Sequence, residues 1–256
     1  MSKKDIVKVE GATNALIKQF EGVHVEEDIQ AGDLISPKLL MVQSQSKAFL
    51  EGKAKLGDYV VSGTQEIVIP QGSTVDFIAM RSWRDWVVML ESGNKYLRTE
   101  PITMRPDRPR KEMEQGVSIV HYERQNYFVL LTNELKEDSD GFLPYTLSFR
   151  STSLMASKAI KSTIIKASMA GKKVPMPFFV FSLGSEAVKN DKGSWFNPVI
   201  KKVRMSTEDE LVHVKTLIEL MSVNTYAVDE SDLVEEEVDV NQVNQIKTAP
   251  GVQVEV

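Results

Sequence analysis

The chain of 256 residues contains no cysteine, which excludes disulfide bonds, cysteine zinc sites and thiol catalysis and fits a reducing cytoplasm. No apolar run approaches the roughly 18 residues that a membrane helix needs. The N-terminal sequence MSKKDIVKVEG has no apolar core behind its lysines, which argues against a signal peptide. We therefore expect a cytoplasmic protein without membrane contact.

Signals for catalysis and metal binding are also scarce. The three histidines lie far apart and lack the spacing of metal ligands. Segment 52–57 (GKAKLG) has the glycine spacing of a phosphate-binding loop, but Asp and Tyr follow where Lys and Ser or Thr are required. No nucleophile-elbow, dinucleotide-binding or paired-carboxylate motif is present. The sequence thus predicts a protein that is not an enzyme and needs no metal or cofactor. A site built from carboxylates that are distant in sequence is the alternative.

Acidic residues are missing from positions 141–185, and the chain is sorted by charge around this gap. Over 141–204, eleven Lys or Arg stand against two acids, a net charge of +9. The stretch 205–256 carries twelve acids against two lysines, a net charge of −10. A basic middle favours a polyanion as partner, and an acidic end would compete with that polyanion for the same surface.

Composition predicts one domain between two less ordered ends. The hydrophobic fraction of 42% supports a sizeable core. We interpret 1–32 as an N-terminal extension and 33–227 as a single domain. Aromatic residues are absent after Tyr226, so 228–256 offers too little apolar surface to offset the entropy of ordering and is predicted to be a disordered acidic tail.

Apolar alternation and turn residues predict about seven short strands between 35 and 203. A hairpin turns at 92–94, and a second pair, 117–123 with 126–131, is joined tightly through Arg124 and Gln125. Further strands are predicted at 145–151, 178–183 and 195–203. The prolines within 95–111 predict a long loop there.

Two helices interrupt the strands. The first is predicted to start near Thr152 or Ser153 and to end at Gly171. The second starts at Ser206, with Asp209 as its capping-box partner. Its apolar stripe, which we interpret as core packing, comprises Leu211, Val214, Leu217, Ile218 and Met221. The predicted fold class is α+β and mainly β, with an OB-like antiparallel barrel that carries two helices; other α+β folds stay open.

The first helix separates apolar from basic side chains. At 100° per residue, Ala156, Ile160, Ile164 and Ala167 fall on one side. The basic side and its continuation past the helix consist of Lys158, Lys161, Lys166, Lys172 and Lys173. An ordinary solvated face would mix both signs of charge, so we predict a surface that neutralises phosphates, together with Arg150 from the same acid-free stretch.

The predicted loop 95–111 holds a second basic cluster around three prolines. Its members are Lys95, Arg98, Arg105, Arg108, Arg110 and Lys111. Arginines on a loop make a good phosphate clamp, while an ordinary solvent loop is the alternative. A proline-rich ligand for an SH3-type domain, suggested by Pro106-x-x-Pro109, is a weaker interpretation.

Three aromatic residues are the best candidates for stacking on bases. Proteins that bind single strands place aromatic faces on basic grooves because every base can stack. The candidates and their cationic neighbours are Trp83 between Arg81 and Arg84, Tyr96 between Lys95 and Arg98, and Trp195. Burial in the core is the alternative for each of them.

The acidic tail is a candidate site for partner proteins. Its acids alternate with Leu233, Val234 and Val238, so it could dock on a partner or screen the basic surface. Those acids are Asp229, Glu230, Asp232, Glu235, Glu236, Glu237 and Asp239. A tail that serves only solubility is the alternative.

Four segments resemble a group of bacteriophage-encoded single-stranded-DNA-binding proteins. They are 37–43 (PKLLMVQ), 51–59 (EGKAKLGDY), 144–149 (PYTLSF) and 193–199 (GSWFNPV). The resemblance covers roughly 35–240 and includes the lysine-rich helix and the acid-rich end. It implies an OB-type barrel, work in phage DNA replication or recombination in the host cytoplasm, and no catalysis.

Residues and resemblance together predict a non-catalytic, sequence-tolerant protein that binds single-stranded DNA. Replication or recombination proteins would be further partners through the tail, and a homo-oligomer stays open. One alternative is a phage structural or assembly protein with an acidic protein neighbour. The other is a metal-dependent DNA-processing enzyme with dispersed carboxylates.

Overall fold

Apolar and β-branched side chains arranged in short runs make this chain mainly β, as its sequence predicts. The computed structural model describes residues 35–92, 95–135, 144–169, 174–190, 193–223 and 227–228. Their strands are β1 (Ile35–Ser36), β2 (Leu39–Met41), β3 (Tyr59–Val61), β4 (Ile67–Ile69), β5 (Thr74–Leu90), β6 (Tyr96–Pro101), β7 (Lys111–Glu114), β8 (Val117–Leu131), β9 (Tyr145–Arg150), β10 (Phe179–Asn190), β11 (Gly193–Met205) and β12 (Ala227–Val228). Their α-helices are α1 (Lys47–Leu50), α2 (Leu154–Met169) and α3 (Glu208–Val223).

Two long strands, β5 and β8, organise a seven-stranded antiparallel sheet. They pair from Phe77 opposite Leu131 to Leu90 opposite Ile119. In one half of this sheet, β10 and then β11 follow β5, and β9 lies beside β8. In the other half, β6 pairs with β5 and β7 pairs with β8. We call this second half, residues 82–92 and 95–126, the arm, and the first half the base.

The sheets are not closed into a barrel, so the predicted OB-like barrel differs from the structure. Strands β2, β3 and β4 form a separate antiparallel sheet that reaches β9 by one backbone bridge, Lys38 to Thr146. On its other side this small sheet meets the base through side chains. The Tyr59 hydroxyl donates to the Gly184 carbonyl at 3.3 Å, and Ser185 Oγ donates to the Gly57 carbonyl at 2.6 Å. Among the described residues, no ladder of backbone hydrogen bonds joins this small sheet to the base on that side, so a closed barrel does not form.

The predicted turn at Arg124 and Gln125 is wrong, because β8 runs through both residues without a break. Neither residue type favours turns, and both are buried here. The Arg124 guanidinium binds Asp85, and the Gln125 amide donates to the Trp83 carbonyl at 2.9 Å. These contacts with β5 are satisfied only when the strand stays extended.

The predicted long loop 95–111 is also wrong in most of its length. It forms β6, a 3-10 turn at Ile102–Met104 and the start of β7. Only 105–110 remains irregular, and Pro106 and Pro109 lie within it. Pairing of β6 with β5 therefore overrides the loop signal of the prolines.

Both long helices are confirmed, with changes at their ends. A 3-10 turn at Ser151–Ser153 leads into α2, and the predicted end at Gly171 lies outside the described residues. Helix α3 starts after Thr207 rather than at Ser206. Its capping box joins Thr207 and Glu210, with Thr207 N donating to Glu210 Oε2 at 2.8 Å. Ser206 instead donates to the Pro177 carbonyl at 2.6 Å.

The base sheet carries a hydrophobic cluster on each side. One cluster contains Phe77 and Phe149, and α2 packs on it through Ile160, which is fully buried. The other contains Ile78 and Leu130, and α3 covers it through Val214. The predicted apolar side of α2 is thus confirmed. Of the α3 stripe, Val214 is buried, Leu211 and Leu217 are half-buried and Ile218 is exposed, while the side chain of Met221 lies outside the description.

Candidate nucleic-acid interface

A cleft of about 490 Å³ opens where β9 separates from β2. Its walls come from β2, β3 and the 43–48 segment on one side, and from the end of β9, the turn 151–153 and residues 195–198 of β11 on the other. The volume lies within the range of pockets that hold small molecules.

The cleft is positively charged. Lys47, Arg124 and Arg150 are among its lining residues, and none of the described lining residues is Asp or Glu. Arg150 is one of the residues predicted from the sequence to contact DNA. Lys47 and Arg124 were not predicted, because Lys47 stands alone among neutral residues and Arg124 was assigned to a turn. No signal in a single sequence would have shown that these three cations share one cleft.

Arg124 is held in place by a buried polar network. Its Nε and Nη2 donate to the two carboxylate oxygens of Asp85 at 2.8 and 2.9 Å. Asn126 Nδ2 also donates to Asp85, at 2.8 Å, and Ser148 donates to Asn126 at 2.7 Å. A charged pair with these extra partners keeps the guanidinium fixed at the floor of the cleft.

Trp195 and Phe196 form an aromatic wall of the cleft. Trp195 is half-buried, and its Nε1 donates to Asn197 Oδ1 at 3.0 Å. The Gln43 amide bonds both backbone groups of Phe196, donating to its carbonyl at 2.9 Å and accepting from its N–H at 3.3 Å. The structure therefore brings two predicted contact residues, Trp195 and Arg150, into one cleft.

The lysines of α2 lie on a surface outside the cleft. Lys158, Lys161 and Lys166 are all exposed, opposite the apolar side of the helix. Burial lowers the pKa of Lys161, the positive charge of Arg84 lowers it further, and Glu123 raises it. Arg84 itself pairs with Glu123 at 3.2 Å. Lys161 and Arg84 therefore share one surface, and the Glu123 carboxylate reduces the positive charge of that surface.

Most cations of 95–111 have carboxylate partners within the arm. Arg98 pairs with Glu100 at 2.5 Å and with Glu114 at 2.7 Å, and Arg105 pairs with Glu112 at 3.0 Å. The Arg108 side chain is 5% exposed and also pairs with Glu100, at 2.5 Å, while Lys111 pairs with Glu91. A phosphate would have to compete with these carboxylates, and the predicted phosphate clamp stays a prediction.

The remaining predicted contacts lie along β5 and around the arm. Arg81 is exposed, and Trp83 is half-buried with its ring centroid 4.7 Å from that of Phe128. Lys95 is exposed and Tyr96 is half-buried. The Arg110 guanidinium lies 5.9 Å from the ring centroid of Tyr122.

Several predicted residues fall outside the description. Lys172 and Lys173 lie outside the described residues, as does the N-terminal extension 1–32. The same holds for the predicted tail contacts Asp229, Glu230, Asp232, Glu235, Glu236, Glu237 and Asp239.

The described residues contain neither a membrane-spanning helix nor a metal-binding cluster. None of the helices is both long and apolar enough to cross a membrane. Among the same residues, no group of three or more His, Cys, Asp or Glu side chains could hold a metal ion.

Comparison with protein families matches residues 9–225 to the family described as Pam3 phage gp34-like protein. The matched range contains the cleft, the arm and every described strand and helix except β12. A search of curated proteins found no match, and neither did a search of solved structures.

Proposed function

The chain belongs to the family of Pam3 phage gp34-like proteins, and from that premise we propose that it binds single-stranded DNA for phage replication or recombination in the host cytoplasm. The observation that carries this proposal is the cleft. It combines Lys47, Arg124 and Arg150 with Trp195 and Phe196 and has no acid among its described lining residues.

The chemistry of the cleft suits a flexible polyanion that carries aromatic groups. Lysine and arginine neutralise phosphates, and aromatic rings stack on bases. Neither contact reads the identity of a base, so binding would tolerate any sequence. The Arg124–Asp85 pair is locally neutral, so we assign phosphate contact mainly to Lys47 and Arg150 and treat Arg124 as a rigid hydrogen-bond donor.

Non-catalytic binding is part of the proposal. The test of this part is to incubate the protein with a labelled single-stranded oligonucleotide and magnesium and to examine the product on a denaturing gel. Intact oligonucleotide is expected, and cleavage would instead favour a DNA-processing enzyme.

Fluorescence anisotropy titrations of the full chain test binding itself. We would use an oligothymidylate of about 16 nucleotides, the upper end of the site sizes of single-strand-binding modules, and a duplex of equal length, at two salt concentrations. The single strand should bind more tightly, and its affinity should fall with salt. Absence of salt-sensitive binding to the single strand would overturn the proposal.

A double variant, Lys47→Ala with Arg150→Ala, tests the assignment of the cleft. Loss of two phosphate contacts should reduce the slope of log affinity against log salt by about 1.4, or roughly 0.7 for each contact on a single strand. The matched control is Lys53→Ala with Lys215→Ala, which removes two exposed lysines outside the cleft. Equal slopes in the two double variants would exclude the cleft as the binding site.

A further inference from the structure

We infer that the bound strand leaves the cleft over one face of the arm, where Tyr96 and Tyr122 stack on further bases. This inference rests on the proposed function and extends its site beyond the cleft. The face is defined by the pairing of four strands, and its side chains connect to the cleft through Arg124.

Strand register places both tyrosines on the same face. Met89 of β5 pairs with Tyr96 of β6, and Val87 of β5 pairs with Tyr122 of β8. Residues two apart on a strand share a face, and so do directly paired residues. Val87 and Met89 are buried, and both half-buried tyrosine rings pack against them. The rings are thus anchored on one edge and still present surface to a ligand.

This face continues into the cleft along β8 and β9. Tyr122 lies two residues before Arg124, which is roughly 7 Å along a strand. In the ladder between β8 and β9, the backbone of Arg124 lies opposite that of Arg150, and both arginines line the cleft. A hydrogen-bonded chain follows the same direction on β6, because Tyr96 Oη lies 3.1 Å from Thr99 Oγ1 and Arg124 Nη2 donates to Thr99 Oγ1 at 3.4 Å. A strand held at Arg150 would therefore reach Tyr122 within a short stretch of backbone.

Acidic groups are concentrated on the opposite face of the arm. Glu112 pairs in register with Ile119, and Glu100 pairs with Trp86, so both carboxylates point away from the tyrosines. On the tyrosine face, Asp85 is buried against Arg124. Glu91, a further acid of this face, pairs with Lys111, so both of these acids have a cationic partner.

Two described cations accompany the tyrosines. The Arg110 guanidinium lies against Tyr122, and Lys111 at the far end of the face pairs with Glu91. A guanidinium beside an aromatic ring can contact a phosphate while the ring stacks on the neighbouring base. The cleft likewise has a cation and an aromatic residue, Arg150 and Trp195, among its lining residues.

Binding of oligonucleotides of two lengths tests the inference. The double variant Tyr96→Leu with Tyr122→Leu would be titrated with oligothymidylates of about 4 and about 16 nucleotides, the limits of known site sizes. We expect the affinity for the long strand to fall about tenfold or more, while the affinity for the short strand, which the cleft alone can hold, stays at the wild-type value. Unchanged affinity for the long strand would overturn the inference.

The matched control is Tyr96→Phe with Tyr122→Phe, which keeps the rings and removes the hydroxyls. Wild-type affinity in this control supports stacking, and a loss equal to that of the leucine variant would overturn it. If the wild-type protein binds neither oligonucleotide, the proposed function itself fails. If it binds both equally tightly, the cleft accounts for the binding and only the extension over the arm fails.

Photochemical crosslinking of the wild-type chain covers the case in which the leucine variant does not fold. An oligonucleotide with 5-iodouracil at every position would be crosslinked, and the adducts located by mass spectrometry of the peptides. An adduct at Tyr96 or Tyr122 supports the inference. Adducts confined to other residues would overturn it.

Discussion

At the scale of single residues, the close approach of Gly57 to Phe196 shapes the aromatic wall of the cleft. A Cβ at position 57 would lie 2.5 Å from the Phe196 ring. The φ angle of Gly57 is +84°, a value that other residues rarely adopt. Both the backbone conformation and the absence of a side chain are therefore required for the ring to lie where it does.

Gly57→Ala should lower the free energy of unfolding and weaken binding of single-stranded DNA. The backbone conformation alone costs about 1–2 kcal/mol, and the ring of Phe196 must also move. Gly72→Ala is a matched control outside the cleft, since Gly72 has a φ of +79° but nothing within 4 Å of its added Cβ. Urea denaturation should show a larger loss for the change at Gly57, and the two losses would be equal if the Phe196 contact had no effect.

Single residues are also where the sequence predicts the site least well. Trp195 and Arg150 were predicted from charge and residue type, and the structure brings them together in the cleft. Arg98 and Arg108 were predicted by the same argument, yet carboxylates from other parts of the arm pair with them. Such pairings depend on which strands become neighbours, and a count of charges along the chain cannot show this.

At the scale of elements, local patterns located helices well and strand continuity poorly. The apolar side of α2 follows from helical spacing alone, and Ile160 is buried as that spacing predicts. Strand β8 was divided at Arg124 because the chain there is polar. Its extended form depends on Asp85, 39 positions away in sequence, and nothing local indicates that contact.

Glu210→Gln should destabilise the start of α3 in a pH-dependent way. Arg204 donates two hydrogen bonds to this carboxylate, at 2.6 and 2.8 Å, and they lower the pKa of Glu210. A lowered pKa in the folded state contributes stability above the unfolded pKa of about 4.3. That stability is lost as the pH falls through the folded pKa.

The measurement is urea denaturation of wild type and variant between neutral and acidic pH. The difference in unfolding free energy should be largest at neutral pH and should shrink in acid. Glu219→Gln is the control, because Glu219 is exposed and its contact with Lys215 is 3.8 Å long. A difference for Glu210→Gln that stays constant with pH would contradict the role assigned to its charge.

The lysines of α2 provide a test of a second contact surface. Changing Lys158, Lys161 and Lys166 to Glu should weaken binding of single-stranded DNA without unfolding the protein, because all three side chains are exposed. Circular dichroism would confirm the fold and anisotropy would measure the affinity. Unchanged affinity would restrict the site to the cleft and the arm.

At the scale of the whole molecule, the basic residues that are concentrated in the middle of the sequence do not lie on one common surface. Lys161 of α2 and Arg84 of the arm lie near each other, and Arg84 pairs with Glu123. The cleft takes Lys47 from outside the basic middle of the sequence. A count of charges along the chain therefore does not locate the cations that line the cleft.

Removal of 229–256 should tighten binding of single-stranded DNA at low salt. The segment contains eight acids and one lysine, so its loss changes the net charge from −5 to +2. Val228 is the last described residue before this segment, and it pairs with Ser36. Ser36 lies three positions before β2, and β2 lines the cleft. An acidic segment attached there has a high effective concentration near the cleft.

Anisotropy titrations at low and high salt would compare the full chain with the shortened one. The gain in affinity should disappear at high salt, where screening removes the competition. A full-length control with the acids of this segment changed to Asn or Gln should behave like the shortened chain. Identical affinities for all three proteins at low salt would exclude competition by the segment.

The continuity of β5 and β8 has a consequence for how the molecule opens. Both strands belong to the arm and to the base, and their ladder runs across the boundary without a connecting loop. Separation of the arm would have to break the same ladder that supports the base, which makes the two halves one cooperative unit. Amide protons on either side of the boundary should exchange with deuterium at closely similar, slow rates, like those of a single foldon.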